Sequence, residues 1–236
     1  MMGASKNSIP DIQENLRSVK EQIAKVAKDT LHEHTEIKLV AVTKMQGSAQ
    51  IREALLAGQK VFGENRVQEA EEKWPNLRNE FPGIQLRMIG PLQRNKVKRA
   101  VKLFDIIETI DRLELAEAVA QEMHNTNRRI DCFVQVNTGE EPQKAGVLPT
   151  NVNKIVEHCR GKLGLPLVGL MCIPPVDEEP GMHFGLLAEM ARRNGLFEIS
   201  MGMSRDYKTA IAFGATCVRV GTAIFGERQS VTGAGE

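Results

Sequence analysis

The chain has 236 residues, with 31 Lys or Arg against 30 Asp or Glu, a net charge of +1 and 42% hydrophobic residues. That balance argues against a broad nucleic-acid or anionic-membrane surface. Aromatic residues, at 4%, are too few for base-stacking platforms. No apolar run reaches the ~18 residues of a membrane helix. The opening MMGASKNSIPDIQEN has no secretory apolar core. Cys132, Cys159, Cys172 and Cys217 form no C-x-x-C pair, and three lie in apolar runs. They read as buried thiols of a reducing compartment. The expectation is a cytoplasmic chain folded as one domain over residues 1–236, meeting neither nucleic acid nor membrane.

Ser8-Ile9-Pro10-Asp11 reads as a helix start, with Ser8 as N-cap and Pro10 in the first turn. Ile9, Ile12, Leu16, Val19, Ile23 and Val26 then form one apolar stripe, fitting a helix packed on its own domain. IKLVAVTK (37–44) is a β-branched strand, and Ser48 to Ala57 a helix closed by Gly58. A strand at 60–63 precedes a charged helix from Arg66 to Trp74. A strand at 85–89 precedes a basic helix at 95–103. After a strand at 105–109, Asp111-x-x-Glu114 resembles a capping box for a helix through Met123. A strand at 130–136 leads to Thr150, read as the cap of a helix carrying Val152, Ile155, Val156 and Cys159. The strand at 165–173 is followed by PPVDEEPG, which predicts only a short helix. Strands at 197–201 and 217–220 each precede a helix, the last opened by Thr222. Eight strand–helix units imply an α/β fold, a closed (β/α)8 TIM-type barrel with an extra N-terminal helix.

In such a barrel the reactive groups lie at the carboxyl ends of the strands. Reading those ends collects Lys44, Asn65, Arg66, Gly90, Asp111, Asn137 and two glycine-bearing turns, SMGMS (200–204) and VGTAIFG (220–226). No paired carboxylates and no His-rich metal cluster occur among them. Lys44 closes an apolar strand, where a lysine suits capture of an aldehyde or simply snorkels to water. Strand alternation puts it in phase with Val40 and Val42 without fixing which way it points. Arg219, inside CVRVG, needs a partner, either a barrel carboxylate or a bound ligand. The turns after the last two strands suit a phosphate, with Ser204 and Thr222 adding hydroxyls. Both hydroxyls equally suit capping of the helices that follow. The basic run Arg94, Lys96, Lys98, Arg99, Lys102 reads as a solvated helix face, since no aromatics interleave it.

VAVTK (40–44), FGENRVQE (62–69), MIGPLQRNK (88–96), TIDR (109–112), KAG (144–146), MGMSRDY (201–207) and VRVGTAIFGER (218–228) follow one another along the chain. In that order the chain resembles the pyridoxal phosphate homeostasis proteins from about residue 10 to residue 228. The resemblance implies a barrel like the N-terminal domain of alanine racemase and pyridoxal 5′-phosphate held on Lys44 as an aldimine. It also implies a phosphate cup of Ser204, Gly221 and Thr222, Arg219 facing the pyridine nitrogen, and Asn65 lining the cofactor. The sequence departs from the family at Arg87-Met88, where His-Phe is common, and in a shorter stretch between strands six and seven. Those departures bear on the pocket wall and the sixth helix.

An arginine at the ring nitrogen cannot give up its proton, so the ring stays a weak electron sink, which disfavours transamination but is tolerated by racemases. Two-base racemisation also needs a second base, which in the alanine racemase relatives comes from another domain. The sequence ends ten residues after Gly226, and no such domain is expected. The expected function is therefore a monomeric binding module, with no catalytic residue of its own. It would hold pyridoxal phosphate, keep the free aldehyde low and pass it to pyridoxal-phosphate-dependent apo-enzymes. The alternative is a weak pyridoxal-phosphate-dependent amino-acid racemase or lyase. A third, a barrel enzyme with a substrate phosphate in the same loops, predicts a colourless protein.

Overall fold

The short β-branched runs pair in parallel with their sequence neighbours, and the last pairs with the first. The result is a closed barrel in the order β1 to β8. The strands are β1 (Lys38–Val42), β2 (Val61–Glu64), β3 (Gln85–Met88), β4 (Ile106–Ile110), β5 (Asp131–Val136), β6 (Leu167–Cys172), β7 (Glu198–Ser200) and β8 (Cys217–Val220). Around them stand α1 (Ile12–Asp29), α2 (Ser48–Leu56), α3 (Val67–Glu80), α4 (Val97–Leu103), α5 (Leu113–Thr126), α6 (Val152–Glu157), α7 (Pro180–Arg193), α8 (Tyr207–Ala212) and α9 (Thr222–Phe225). This is the (β/α)8 barrel with a leading helix that the sequence implies. The computed structural model describes residues 11–30 and 36–227.

The main core lies between barrel and helices. Leu39, Ala41, Phe62, Leu86 and Val218 face outward onto Ile51, Trp74, Val101 and Phe184 from the helices. Phe62 and Trp74 meet at 4.9 Å between ring centroids. α1 buries Ile12, Leu16, Val19, Ile23 and Ala27, the expected stripe carried to its last turn by Ala27. It packs on α2, α8 and α9, and its Asn15 side chain donates to the carbonyl of Ile224 at 2.9 Å. No helix among the described residues is long and apolar enough to cross a membrane.

Several local expectations fail for identifiable reasons. The proposed cap Ser8 and first-turn Pro10 lie outside the described residues. Asp11 is the N-cap of α1 and accepts from the Glu14 amide at 3.0 Å. α3 does not stop at Trp74; it continues through Pro75 to Glu80, because Leu77 is buried one turn beyond Trp74. Asp111 makes no capping box, since its carboxylate pairs with Arg112 and α5 starts without a side-chain cap. Thr150 sits inside a 3-10 turn, Pro149–Asn151, that leads into α6 without a side-chain cap. The Pro- and Gly-broken stretch after β6 holds a 14-residue helix, α7. There Pro180 occupies the first turn, where its missing N–H costs nothing.

Register sorts the barrel's inner residues. Val40 lies level with Arg219, Gly63 with Arg87, and Met171 with Ser200. Level residues in neighbouring strands share a face. Lys38 and Glu198 pair across the N-terminal end at 2.5 Å. Ile106, Phe133 and Met171 form a small apolar cluster separate from the outer core. β4 carries an irregularity between Ile107 and Ile110. Both isoleucines belong to the outer core, which residues three apart in a regular strand cannot do. The irregularity leaves Glu108 on the inner face between them.

Candidate functional site

Lys44 lies two residues beyond the end of β1, half-buried, at the C-terminal mouth of the barrel. The register of Val40 with Arg219 puts Val40 and Val42 on the inner face, and Lys44 follows in the turn past the strand. Beside it, a Cβ on Gly221 would stand 3.4 Å from Val42. The turn after β8 therefore passes directly against the strand that carries Lys44.

Arg219 is 3% exposed and is held by two neutral groups. Its Nη1 donates to Ser200 Oγ at 2.6 Å, and its Nη2 donates to the Cys172 carbonyl at 2.7 Å. The carboxylate stands one bond further on, with Ser200 Oγ donating to Glu108 Oε2 at 2.6 Å. Its own amide donates to the Gly202 carbonyl at 2.9 Å, joining β8 to the turn after β7. Gly202 has φ +88°, and a Cβ there would lie 2.5 Å from Ala210 Cβ. That turn admits only glycine.

The two glycine turns meet through Ser204. Its Oγ accepts from the Gly221 amide at 3.3 Å and from the Ala223 amide at 3.4 Å. Ser204 therefore does not cap the helix that follows it. Asp206 takes the neighbouring role, accepting from the Met203 amide at 2.6 Å. Thr222 is exposed, and the N-cap position of α9 belongs to Gly221. Two amides and two hydroxyls, at 204 and 222, thus share one small region at the start of α9.

Asn65 follows β2 at the same mouth, half-buried. Gly90 holds it there, since a Cβ at Gly90 would lie 2.3 Å from the Asn65 carbonyl oxygen. Asn137 is occupied within its own loop, donating to the Glu141 carbonyl at 2.8 Å. The basic run lies on the outer wall, where Arg99 pairs with Glu71 of α3. No group of three or more His, Cys, Asp or Glu side chains among the described residues could hold a metal.

Reasoning from the sequence missed the polar residues behind the site. Glu108 and Ser200 inside the barrel support Arg219. Thr43, Glu64, Glu69 and Lys73 surround the turn that carries Lys44. A charged or hydroxyl residue in an apolar strand (IIETI, VFGE) was the available signal.

As a donor set the mouth offers an amine, a buried guanidinium, backbone amides and hydroxyls. That chemistry fits a ligand with an aldehyde, a neutral ring acceptor and a phosphate, with Gly221 leaving room against Val42.

Residues 12–229 match the family model described as alanine racemase, N-terminal domain. The pyridoxal phosphate homeostasis protein of Haemophilus influenzae is 33% identical over 232 residues, covering 94% of this chain and 98% of its own. That of Escherichia coli K12 is 35% identical over 228 residues, covering 93% and 97%. Among solved structures, PipY of Synechococcus elongatus PCC7942 with PLP bound has a TM-score of 0.79 at 34% identity. It covers 91% of this chain and 100% of its own. Alanine racemase of Clostridium difficile 630, at 17% identity and a TM-score of 0.70, shares the fold over 94% of this chain and 57% of its own.

Proposed function

The chain belongs to the pyridoxal phosphate homeostasis proteins, within the alanine racemase N-terminal domain family, and from that premise we propose that it binds pyridoxal 5′-phosphate covalently on Lys44. The observation that carries the proposal is the meeting of β1, β8 and the turn after β7 at one mouth. It brings Lys44, Arg219 and the Ser204–Gly221 contact onto adjacent segments. A relative 34% identical over its whole length has been solved with PLP bound.

When bound, the cofactor supplies an aldehyde that an amine can capture and a ring that withdraws electrons. The residues of this chain would divide the work of holding it. Lys44 provides the amine. Ser204, Gly221 and Thr222 would provide hydroxyl and amide donors for the phosphate at the start of α9. Arg219 presents a permanent cation to the ring nitrogen, and Asn65 lines the pocket. A ring nitrogen facing an arginine would stay unprotonated, an arrangement that disfavours transamination and that racemases tolerate.

The reading is thus a monomeric, non-catalytic carrier over residues 1–236, working in the cytoplasm and passing its cofactor to apo-enzymes. The test is a titration of purified protein with pyridoxal phosphate, followed by borohydride reduction and peptide mapping. The expected label is on Lys44, and Lys44→Ala is expected to stay colourless. Wild-type spectra from Lys44→Ala would overturn the assignment. Exchange of an amino acid's α-proton, lost in Lys44→Ala, would replace the carrier with a weak racemase or lyase.

A further inference from the structure

We propose that Thr43, Glu64, Glu69 and Lys73 form a positioning clamp that grips the backbone on both sides of Lys44 and presets its amine for the aldehyde. The inference rests on the reading of Lys44 above and adds residues that touch neither cofactor nor amine.

Glu64 ends β2 facing outward and is fully buried. Its Oε1 accepts from Thr43 Oγ1 at 2.8 Å, from Trp74 Nε1 at 3.1 Å and from Lys73 Nζ at 3.2 Å. Lys73 Nζ also donates to the Thr43 carbonyl at 2.9 Å and to Glu69 Oε1 at 2.6 Å. Glu69 Oε1 in turn accepts from the Met45 amide. The residue before Lys44 is therefore held at its hydroxyl and its carbonyl, and the residue after it is held at its amide. All of these bonds come from β2 and α3.

Met45 shows why the clamp is needed. Its φ is +62°, a left-handed conformation that a residue with a Cβ avoids. The residue is 70% exposed, so packing does not impose that conformation. The Glu69 bond to its amide does, together with the Gln46 amide donating to the Thr43 carbonyl at 3.0 Å. A left-handed Met45 bends the chain sharply after Lys44 and leaves that lysine at the apex of the turn.

In the step concerned, the Lys44 amine adds to the aldehyde carbon, a C=N bond replaces the C=O bond, and the oxygen leaves as water. A clamp that aims the amine speeds and favours this step without changing how ring and phosphate are bound. Two ligands separate the effects. Pyridoxal 5′-phosphate can form the imine, whereas pyridoxine 5′-phosphate carries an alcohol there and cannot.

The experiment measures the affinity of both ligands, and the rate of borohydride-trappable imine formation, in wild type, Glu69→Ala, Lys73→Met and Glu69→Gln. Loss of aim in Glu69→Ala and Lys73→Met should cost about tenfold or more in pyridoxal phosphate affinity and imine rate. Pyridoxine phosphate affinity should stay within about twofold of wild type, because its contacts are untouched. Glu69→Gln keeps an acceptor for the Met45 amide and should recover most of the rate. Equal losses on both ligands, or none on either, would overturn the clamp. A wild-type protein that forms no imine at all would instead overturn the reading of Lys44. Glu69, at 20% side-chain exposure against 12% for Lys73, supplies the decisive variant if Lys73→Met does not fold.

Discussion

Arg87 Nη1 donates to Glu108 Oε1 at 2.9 Å inside the barrel, with both side chains closed off from solvent. Arg87 stands where the resembling family commonly has histidine. Its Nε and Nη2 are taken by Gln85 Oε1 at 3.1 and 2.9 Å, so its charge is well satisfied. Burial alone works to lower its pKa, but Cys217 and Glu108 beside it outweigh burial and hold it above the ordinary arginine value. Removing the carboxylate leaves this guanidinium buried and unpaired. Glu108→Ala is therefore expected to cost about 3–5 kcal/mol in urea unfolding. The double variant Arg87→Met/Glu108→Leu removes both charges and should cost clearly less than Glu108→Ala alone. A double variant that costs as much as Glu108→Ala or more would refute the pairing.

Glu108 also reaches Arg219, because Ser200 accepts from Arg219 Nη1 and donates to Glu108 Oε2, both at 2.6 Å. Ser200→Ala cuts that link and leaves Arg219 only the Cys172 carbonyl. A hydrogen bond to a charged group is worth about 1.5–3 kcal/mol, and a loss of that size should appear in chemical denaturation. The cofactor-loaded variant should shift its visible absorption while borohydride still labels Lys44. An unchanged spectrum would detach Arg219 from the ring nitrogen.

Strand-end reading collected Lys44, Asn65, Ser204, Arg219, Gly221 and Thr222, together with Arg66, Gly90, Asp111 and Asn137, because residues that interrupt apolar, β-branched runs are visible in one dimension; the family resemblance singled out the six. It did not find Glu108, because a regular strand cannot put Ile107 and Ile110 outside together, and the irregularity between them is settled by pairing with β5. α7 was underestimated because Pro180 reads as a breaker unless it is known to sit in the first turn. The role of Ser204 depended on a residue 17 positions away, the Gly221 amide, and no local pattern encodes that. The order of the elements was legible; contacts between the ends of distant strands were not.

The cysteines should behave as inert core residues. Burial raises the thiol pKa of Cys159 to about 11, of Cys172 to about 12 and of Cys217 to about 11, and pushes Cys132 up as well. All four are free and buried. A thiolate-specific disulfide reagent at pH 8 should modify none of them in the native protein and all four after unfolding. Rapid labelling of the folded protein would contradict the barrel packing around β5, β6 and β8.

Gly90 sets the place of Asn65. A methyl group there meets backbone atoms of Asn65, at 2.3 Å from O and 2.6 Å from Cα, and none can swing away. Gly90→Ala should therefore cost about 1–3 kcal/mol as overpacking. It should also weaken pyridoxal phosphate binding beyond what a core variant matched to it in measured stability loss, Ile155→Val or Ile155→Ala, does. Equal effects on binding from the two variants would remove Asn65 from the pocket.

Glu64 gives the protein a pH dependence of a stated sign. Burial raises its pKa above 4.5, against Lys73, Thr43 and Trp74, which lower it, and the net direction is up. The native state therefore holds this proton more tightly than the unfolded chain. Where the folded pKa exceeds the unfolded one, stability falls as pH rises between the two values. The contribution of Glu64 is fully present below 4.5, the ordinary glutamate value, and declines above it until the raised pKa is passed. Glu64→Gln cannot titrate and should lack this decline. Unfolding free energies from pH 4 to pH 8 should thus show the wild type losing stability relative to Glu64→Gln as pH rises. A gap between the two proteins that stays constant, or widens in favour of wild type with rising pH, would mean that Lys73 rather than burial controls the carboxyl group.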